Sequence, residues 1–179
     1  QVRPKVYDLQ IDAPPPLIPR HQRFEIKERI GSKGEIITPL ETAEIAKVIE
    51  DIKGLEHVDG VAVCLLFSFL NPEHEQKLGA AIREAMPGLS VSLSSEVHPE
   101  FREYERFSTA VINAYLQPEV SRYMENLKHG IAHDAPMAKL GIFQSSGGLT
   151  SVERASQFPV RMALSGPAAG VVGGAQCAI

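Results

Sequence analysis

Regularly spaced glycines near the C-terminus are the first residues that suggest a function. Gly166, Gly170 and Gly174 recur at every fourth position of a predicted terminal helix. Each glycine destabilises a helix by up to about 1 kcal/mol relative to alanine, so a helix that keeps them needs a close contact in return. Small residues on one face allow another backbone to approach. We predict a hinge helix between two lobes, with a plain small-residue core helix as the alternative.

The start of that helix and a polar turn upstream of it are candidate binding elements. Ser165 or Gly166 at the N-cap would leave free backbone amides, where an anion can bind. The turn follows a short strand predicted at residues 140–144, and it supplies further polar groups. The candidate contacts are Gln144, Ser145, Ser146, Gly147, Gly148, Ser165, Gly166 and Gly170.

A charged block at residues 96–106 has the residue types of an acid/base pair. Such blocks more often cap a helix and face solvent, and its glutamates suit the first turn of a helix. We therefore expect Arg102 and Arg106 to act through exposed charge, so that Arg106→Gln leaves the melting temperature nearly unchanged.

His129 and His133, with Asp134 beside them, have the four-residue offset of a zinc pair. Gly130 and Pro136 argue against a stable helix there, so we predict no metal site.

Hydrophobic patterning indicates a layered α/β domain that positions these groups. Residues 61–67 are apolar on both faces, which is typical of a parallel strand buried between helical layers. Predicted helices flank it, and a second strand follows at residues 89–93, which completes a βαβ pattern. A β-hairpin at residues 24–37 precedes a first helix capped by Thr38.

A long helix is predicted from Pro99. Pro118 should kink or restart it, and its second segment should end near Gly130. Downstream, residues 151–157 are predicted as a short helix and residues 160–164 as an extended piece. In the long helix, apolar residues at helical spacing are expected to form the core stripe: Phe101, Tyr104, Phe107, Val111 and Tyr115.

Composition excludes several classes of protein. The chain has 18 basic and 22 acidic residues among 179. Its net charge of −4 gives no excess of basic residues that would indicate binding to a nucleic-acid backbone. The longest apolar run, residues 61–70, is about half of what a membrane span needs. Two distant cysteines suggest a reducing, cytoplasmic setting. Because the chain starts at Gln1 and ends on an uncharged apolar stretch, we expect a piece of a longer polypeptide or an end that packs on a partner.

Several sequence blocks, in order, resemble the A subunit family of hydantoinase and 5-oxoprolinase. They are residues 3–9 (RPKVYDL), 68–75 (SFLNPEHE), 95–106 (SEVHPEFREYER), 144–149 (QSSGGL), 159–161 (PVR) and 164–173 (LSGPAAGVVG). The resemblance implies part of an actin-like, sugar-kinase-like ATPase that uses ATP and Mg²⁺. It makes residues 21–163 the α/β portion of the N-terminal lobe and 164–179 the truncated inter-lobe helix. Residues 1–20 are predicted as an extended connector, because their prolines disfavour a helix.

The same resemblance implies a reaction class. Related sugar kinases carry an Asp base near the start of this helix, where this chain has Gly166, Pro167 and Ala168. An amide or ketone oxygen needs no such base. We expect an ATP-dependent hydrolase of a small cyclic amide, hydantoin or 5-oxoproline, working with a B-type subunit or domain. The alternatives are a ketone carboxylase subunit and a non-catalytic interaction module, and no catalytic residue is assigned.

We predict that the 179-residue chain alone does not hydrolyse ATP. The Asp-Gly-Gly-Thr loops that hold phosphate and metal in this superfamily do not occur in its sequence. Phosphate release from the purified chain with ATP and Mg²⁺ should stay at the buffer background. Turnover that a point substitution in this chain abolishes would contradict the prediction.

Overall fold

The computed structural model describes residues 15–178. Most of the predicted connector, including the matched block at residues 3–9, lies outside the described residues. The elements in order are β1 (Arg29–Ile30), β2 (Ile36–Thr38), α1 (Thr42–Lys53), β3 (Gly60–Val63), α2 (Glu73–Ala85), β4 (Ser90–Leu93), α3 (Ser94–Val97), α4 (Glu103–Asp134), β5 (Ile142–Phe143), β6 (Leu149–Thr150), α5 (Val152–Gln157) and α6 (Ser165–Cys177). Short 3₁₀ turns lie at Arg20–Gln22 and Pro159–Met162.

The centre of the fold is the parallel pair β3 and β4, aligned from Gly60 opposite Ser90 to Val63 opposite Leu93. Alternate strand residues face opposite layers. One face packs on α1 and α2, in a core that includes Ile49, Val63, Leu78, Ile82 and Leu93. The other face packs on α4. The predicted layered α/β fold is therefore confirmed.

Helix α4 approaches β3 closely because the residues on both facing surfaces are small. A Cβ atom on Gly60 would lie 2.6 Å from the carbonyl oxygen of Ala114, so a side chain cannot be added there without displacing the helix. Ala110 and Ala114 are buried on the same helix face. Small residues thus set the distance between the sheet and α4.

Three local predictions are wrong. The strand predicted at residues 61–67 ends at Val63, and the chain then turns through Phe67, which adopts a φ of 58°. Thr38 pairs with Arg29 in the β1–β2 ladder, and Glu41 occupies the N-cap of α1 instead. Residues predicted as extended from 160 form a 3₁₀ turn, because Pro159 suits the first turn of a helix.

The long helix differs from its prediction in length. Helix α4 runs from Glu103 to Asp134 with Pro118 inside it, and it continues beyond Gly130. A glycine weakens a helix by only about 1 kcal/mol, and the helical turns on either side of Gly130 stabilise α4 by more than that.

The predicted core stripe of α4 is also wrong. Tyr104 is 78% exposed, Tyr115 is 81% exposed, and Phe101 is exposed as well. Phe107 and Val111 are half-buried beside a groove of about 2290 Å³ that β3 and the segment before β1 also line. The buried face carries Arg106, Ala110, Asn113, Ala114 and Met124 instead.

Arg106 is 0% exposed, so the expectation of a solvent-exposed charge is wrong. Its Nε donates to Ser94 Oγ at 3.3 Å, Nη1 to the Glu100 carbonyl at 2.5 Å and Nη2 to the Leu65 carbonyl at 3.1 Å. Its guanidinium also lies over the rings of Phe69 and Phe107, 5.2 and 5.1 Å from their centroids.

Within residues 15–178, no helix combines the length and the apolar character that crossing a bilayer requires.

Arg106→Gln is now expected to destabilise the protein. Breaking a buried charge network typically lowers the free energy of unfolding by about 3–5 kcal/mol. The control is Arg102→Gln, because Arg102 forms an exposed pair with Glu105 at 3.6 Å and such pairs contribute about 1 kcal/mol or less. Urea and thermal unfolding of both variants measure the difference. Equal stability of the two would contradict the role of Arg106.

Candidate functional site

The polar turn that follows β5 is a tight, glycine-dependent hairpin. Strands β5 and β6 pair antiparallel, with Phe143 opposite Leu149. The Gln144 N–H donates to the Gly148 carbonyl at 3.1 Å, and the Gly147 N–H donates to the Gln144 carbonyl at 3.1 Å. Gly147 and Gly148 have φ angles of 85° and 79°, a region that strains other residues. The two glycines are therefore needed to close the turn.

Ser145 joins this turn to the start of α6. Its backbone N–H donates to the Arg161 carbonyl at 2.8 Å. Its hydroxyl accepts a hydrogen bond of 2.9 Å from the N–H of Leu164, the residue before α6. Two stretches that are about twenty residues apart in the sequence, and that were predicted to share a site, are thereby brought into contact.

Helix α6 begins at Ser165 with Leu164 at its N-cap, so the N-cap predicted at Ser165 or Gly166 is wrong by one or two residues. Amides in the first turn of a helix lack intrahelical partners, and the helix dipole makes that end attractive to anions. Ser165 is half-buried, and Gly166 is exposed. With the Ser145 hydroxyl bound to the Leu164 N–H beside this helix start, the donors suit a phosphate or another anion, and these residues offer no carboxylate for Mg²⁺.

The glycine face of α6 is open in the described chain. Beyond the helix itself, no described atom lies within 4 Å of where a Cβ would sit on Gly166, Gly170, Gly173 or Gly174. The close contact that would explain these glycines is therefore not made within residues 15–178, and the hinge stays a prediction.

Two arginines pack on Phe158, in the segment whose Arg161 carbonyl accepts the Ser145 N–H. The guanidinium groups of Arg154 and Arg161 lie 4.8 and 4.5 Å from the centroid of the Phe158 ring. Arg161 Nη2 donates to the carbonyls of Glu96 and Val97 at 2.8 and 3.2 Å. Burial, together with the neighbouring charge of Arg154, lowers the pKa of Arg161. Sequence reasoning gave Arg161 no role, although it stands in one of the matched blocks.

Asn113 joins residues 157–160 to strand β4, and sequence reasoning did not identify this asparagine. Its Nδ2 donates to Ser92 Oγ at 2.9 Å and to the Gln157 carbonyl at 3.1 Å, and its Oδ1 accepts from the Val160 N–H at 3.3 Å. A second link joins α4 and α5, where Lys128 donates to Glu153 at 2.7 Å and lowers the pKa of Glu153 to about 2.

The histidines considered as metal ligands lie on α4, so the reason given against a helix there is wrong. His133 is exposed, and its Nδ1 lies 2.7 Å from Asp134 Oδ1. Across the part of the chain that the structure describes, no three His, Cys, Asp or Glu residues are grouped to hold a metal ion.

Two solved structures define the class of fold. An ATP-dependent caprolactamase from Pseudomonas jessenii matches 87% of this chain at a TM-score of 0.70 and 34% identity, over 23% of its own chain. A nucleotide-free acetone carboxylase matches 91% of this chain at a TM-score of 0.79, over 23% of its own chain. The two sequences are 23% identical, so this match is evidence for the fold alone. The domain is an α/β part of an actin-like ATPase lobe.

The chain belongs to the hydantoinase/oxoprolinase family. The model of that family's N-terminal region matches residues 1–86, and the hydantoinase/oxoprolinase model matches residues 106–178. The matches confirm the resemblance seen in the sequence blocks.

Three relatives show the range of the family. An uncharacterized protein of Methanocaldococcus jannaschii is 42% identical over 96% of this chain and 25% of its own length. The caprolactamase subunit alpha of Pseudomonas jessenii is 39% identical over 85% of this chain and 22% of its own length. The acetophenone carboxylase gamma subunit of Aromatoleum aromaticum is 33% identical over 90% of this chain and 22% of its own length. The chain thus spans about a quarter of the length of these relatives.

Gly170→Leu in the full-length protein should reduce the expected ATP-dependent turnover by about 10-fold or more without lowering stability. A Cβ at this position meets open space in the described chain, and leucine has the higher helix propensity, by less than about 1 kcal/mol. If α6 is the expected hinge, the leucine would hold the two lobes of the full-length protein apart and misalign the reacting groups. Gly130→Leu on α4 is the matched control, since that glycine is also helical and open. Melting temperature and turnover are measured for both, and equal turnover would contradict the hinge.

Proposed function

We propose that this chain is part of an enzyme that opens a small cyclic amide with ATP, through phosphorylation of the amide oxygen. The carrying observation is the anion-suited start of α6, where the Ser145 hydroxyl lies beside the first backbone amides and the sequence Gly166-Pro167-Ala168 offers no carboxylate. A hydroxyl acceptor would need a base there, whereas an amide oxygen is nucleophilic without losing a proton. The similarity to a caprolactamase subunit supports this reading.

The residues take roles that follow from their positions. The turn formed by Gln144, Ser145, Ser146, Gly147 and Gly148 lines the phosphate side of the site. Ser165 and Gly166 present the first amides of α6 to the same anion. Gly170 lies on the open face that meets the second lobe. ATP supplies the phosphoryl group, and Mg²⁺ is held by carboxylates other than these residues.

A partner and a compartment complete the proposal. The caprolactamase and acetophenone carboxylase relatives are both named as subunits, which supports a B-type partner for this enzyme. Cys64 and Cys177 are free thiols, as the reducing cytoplasm favours.

A ketone carboxylase is the second candidate. The acetophenone carboxylase gamma subunit aligns with 90% of this chain, and a ketone oxygen also has no hydroxyl proton to lose. The two candidates differ in the acceptor and in the need for bicarbonate.

The full-length enzyme with its partner subunit should hydrolyse ATP in response to a cyclic amide. Hydantoin, 5-oxoproline and caprolactam are tested against acetone and acetophenone, with and without bicarbonate. When the amide carbonyl carries ¹⁸O, the label should appear in inorganic phosphate, because the amide oxygen bonds to the γ-phosphorus and leaves with it.

Retention of the label in the ring-opened acid would mean that the carbon–oxygen bond of the amide survives, which contradicts departure of the amide oxygen with the phosphorus. ATP hydrolysis that responds only to a ketone with bicarbonate would replace the proposal by the carboxylase.

A further inference from the structure

A single buried carboxylate ties together the ends of the two parallel strands. Glu75 on α2 is 0% exposed. Its Oε1 accepts hydrogen bonds from the Leu65 N–H at 2.8 Å and from Ser94 Oγ at 2.6 Å. Its Oε2 accepts from the N–H and the hydroxyl of Ser95, both at 2.8 Å. Leu65 follows β3 and the serines follow β4, so Glu75 joins the carboxyl ends of both strands.

Arg106 completes the arrangement from the opposite helical layer. It donates to the Leu65 carbonyl, while Glu75 accepts from the Leu65 N–H, so two buried side chains hold both backbone polar groups of one residue. Ser94 Oγ lies between them, donating to Glu75 and accepting from Arg106. We call Glu75, Ser94 and Arg106 the Leu65 clamp.

The clamp precedes a strained turn. Phe67 has a φ of 58°, in the region that disfavours large side chains. Its carbonyl accepts from the N–H groups of Leu70 at 2.9 Å and Asn71 at 3.2 Å, which closes the turn. Asn71 Nδ2 then donates to the Gly34 carbonyl at 3.0 Å. The Phe67 side chain stays half-buried, so part of its ring faces solvent.

Stability alone does not explain this cluster. Desolvating two charged side chains is unfavourable, and apolar residues of similar volume often stabilise a fold as well or better. Strained backbone persists where the surroundings over-determine it, and it concentrates where a protein contacts a ligand. The turn also lies beyond the carboxyl ends of parallel strands, the edge at which open α/β sheets bind ligands.

We propose that the Leu65 clamp positions the turn at residues 65–70 as an apolar wall of the acceptor pocket, with Phe67 against the ring of the substrate. This inference rests on the proposed function in taking the acceptor to be a small ring. Glu75 and Arg106 are positioning residues, and Phe67 is the contact residue.

The test uses the full-length enzyme with its partner and the acceptor that the wild type turns over. Phe67→Gly relieves the strained φ, so its melting temperature should stay within about 2 °C of wild type or rise. The same variant should raise KM for the acceptor by about 10-fold or more while KM for ATP changes by less than about 2-fold. A merely structural residue would not show stability retained and acceptor binding lost together.

Glu75→Gln should raise KM for the acceptor in the same direction, because an amide nitrogen would face the N–H and hydroxyl of Ser95. Glu73→Gln is the matched control, since Glu73 is exposed on the same helix. Ile49→Ala controls for lost stability, because it removes buried volume from α1 without touching the turn. Both controls should keep the wild-type KM for the acceptor.

The outcomes separate the two proposals. If the wild type turns over ketones only, the proposed amide reaction fails and the wall is tested by the ketone KM in the same variants. If the wild type is active and Phe67→Gly and Glu75→Gln keep its acceptor KM, or if Ile49→Ala shifts that KM equally, the positioning role is overturned. A wild type that accepts neither class overturns both proposals.

Discussion

The close packing of α4 on the parallel strands is the constraint on which the rest of the structure depends. Gly60, Ala110 and Ala114 bring the helix backbone against β3, where a single added Cβ would collide with the Ala114 carbonyl. At that separation, the polar residues on the same face reach across the sheet. Arg106 extends to the end of β3, and Asn113 extends to β4 and to the segment before α6. One helix face thereby organises both ends of the domain.

The two polar regions that α4 organises are joined through the short helix α3. Its first residues, Ser94 and Ser95, bind the Glu75 carboxylate. At its other end, the carbonyls of Glu96 and Val97 accept from Arg161, whose own carbonyl receives the Ser145 N–H. Hydrogen bonds, linked by the backbone of α3, therefore connect the turn after β3 to the start of α6. Physical continuity of this kind lets a proposed acceptor wall and a proposed phosphate site keep a fixed relation to each other.

The candidate site was predictable in its parts because each part has a local cause. The Ser145 to Gly148 turn requires glycines with positive φ, and the four-residue spacing of the glycines in α6 indicates a helix with a small-residue face. The contact between Ser145 and Leu164 was not predictable in detail. It depends on the 3₁₀ turn at Pro159–Met162, which is held by Asn113 from more than forty residues away in the chain.

The sequence by itself determined the order of the longer helices and of the two parallel strands, the βαβ layering and the family, since periodicity, turn residues and ordered motifs are local properties. Only the tertiary structure decided which face of α4 is buried. A stripe of aromatic residues and a stripe of small and polar residues both recur with the period of a helix, so spacing cannot choose between them. The choice falls to the sheet, because only the small residues fit against Gly60. Arg106 can then be buried, since Leu65, Ser94 and Glu100 satisfy it from positions that only folding brings together.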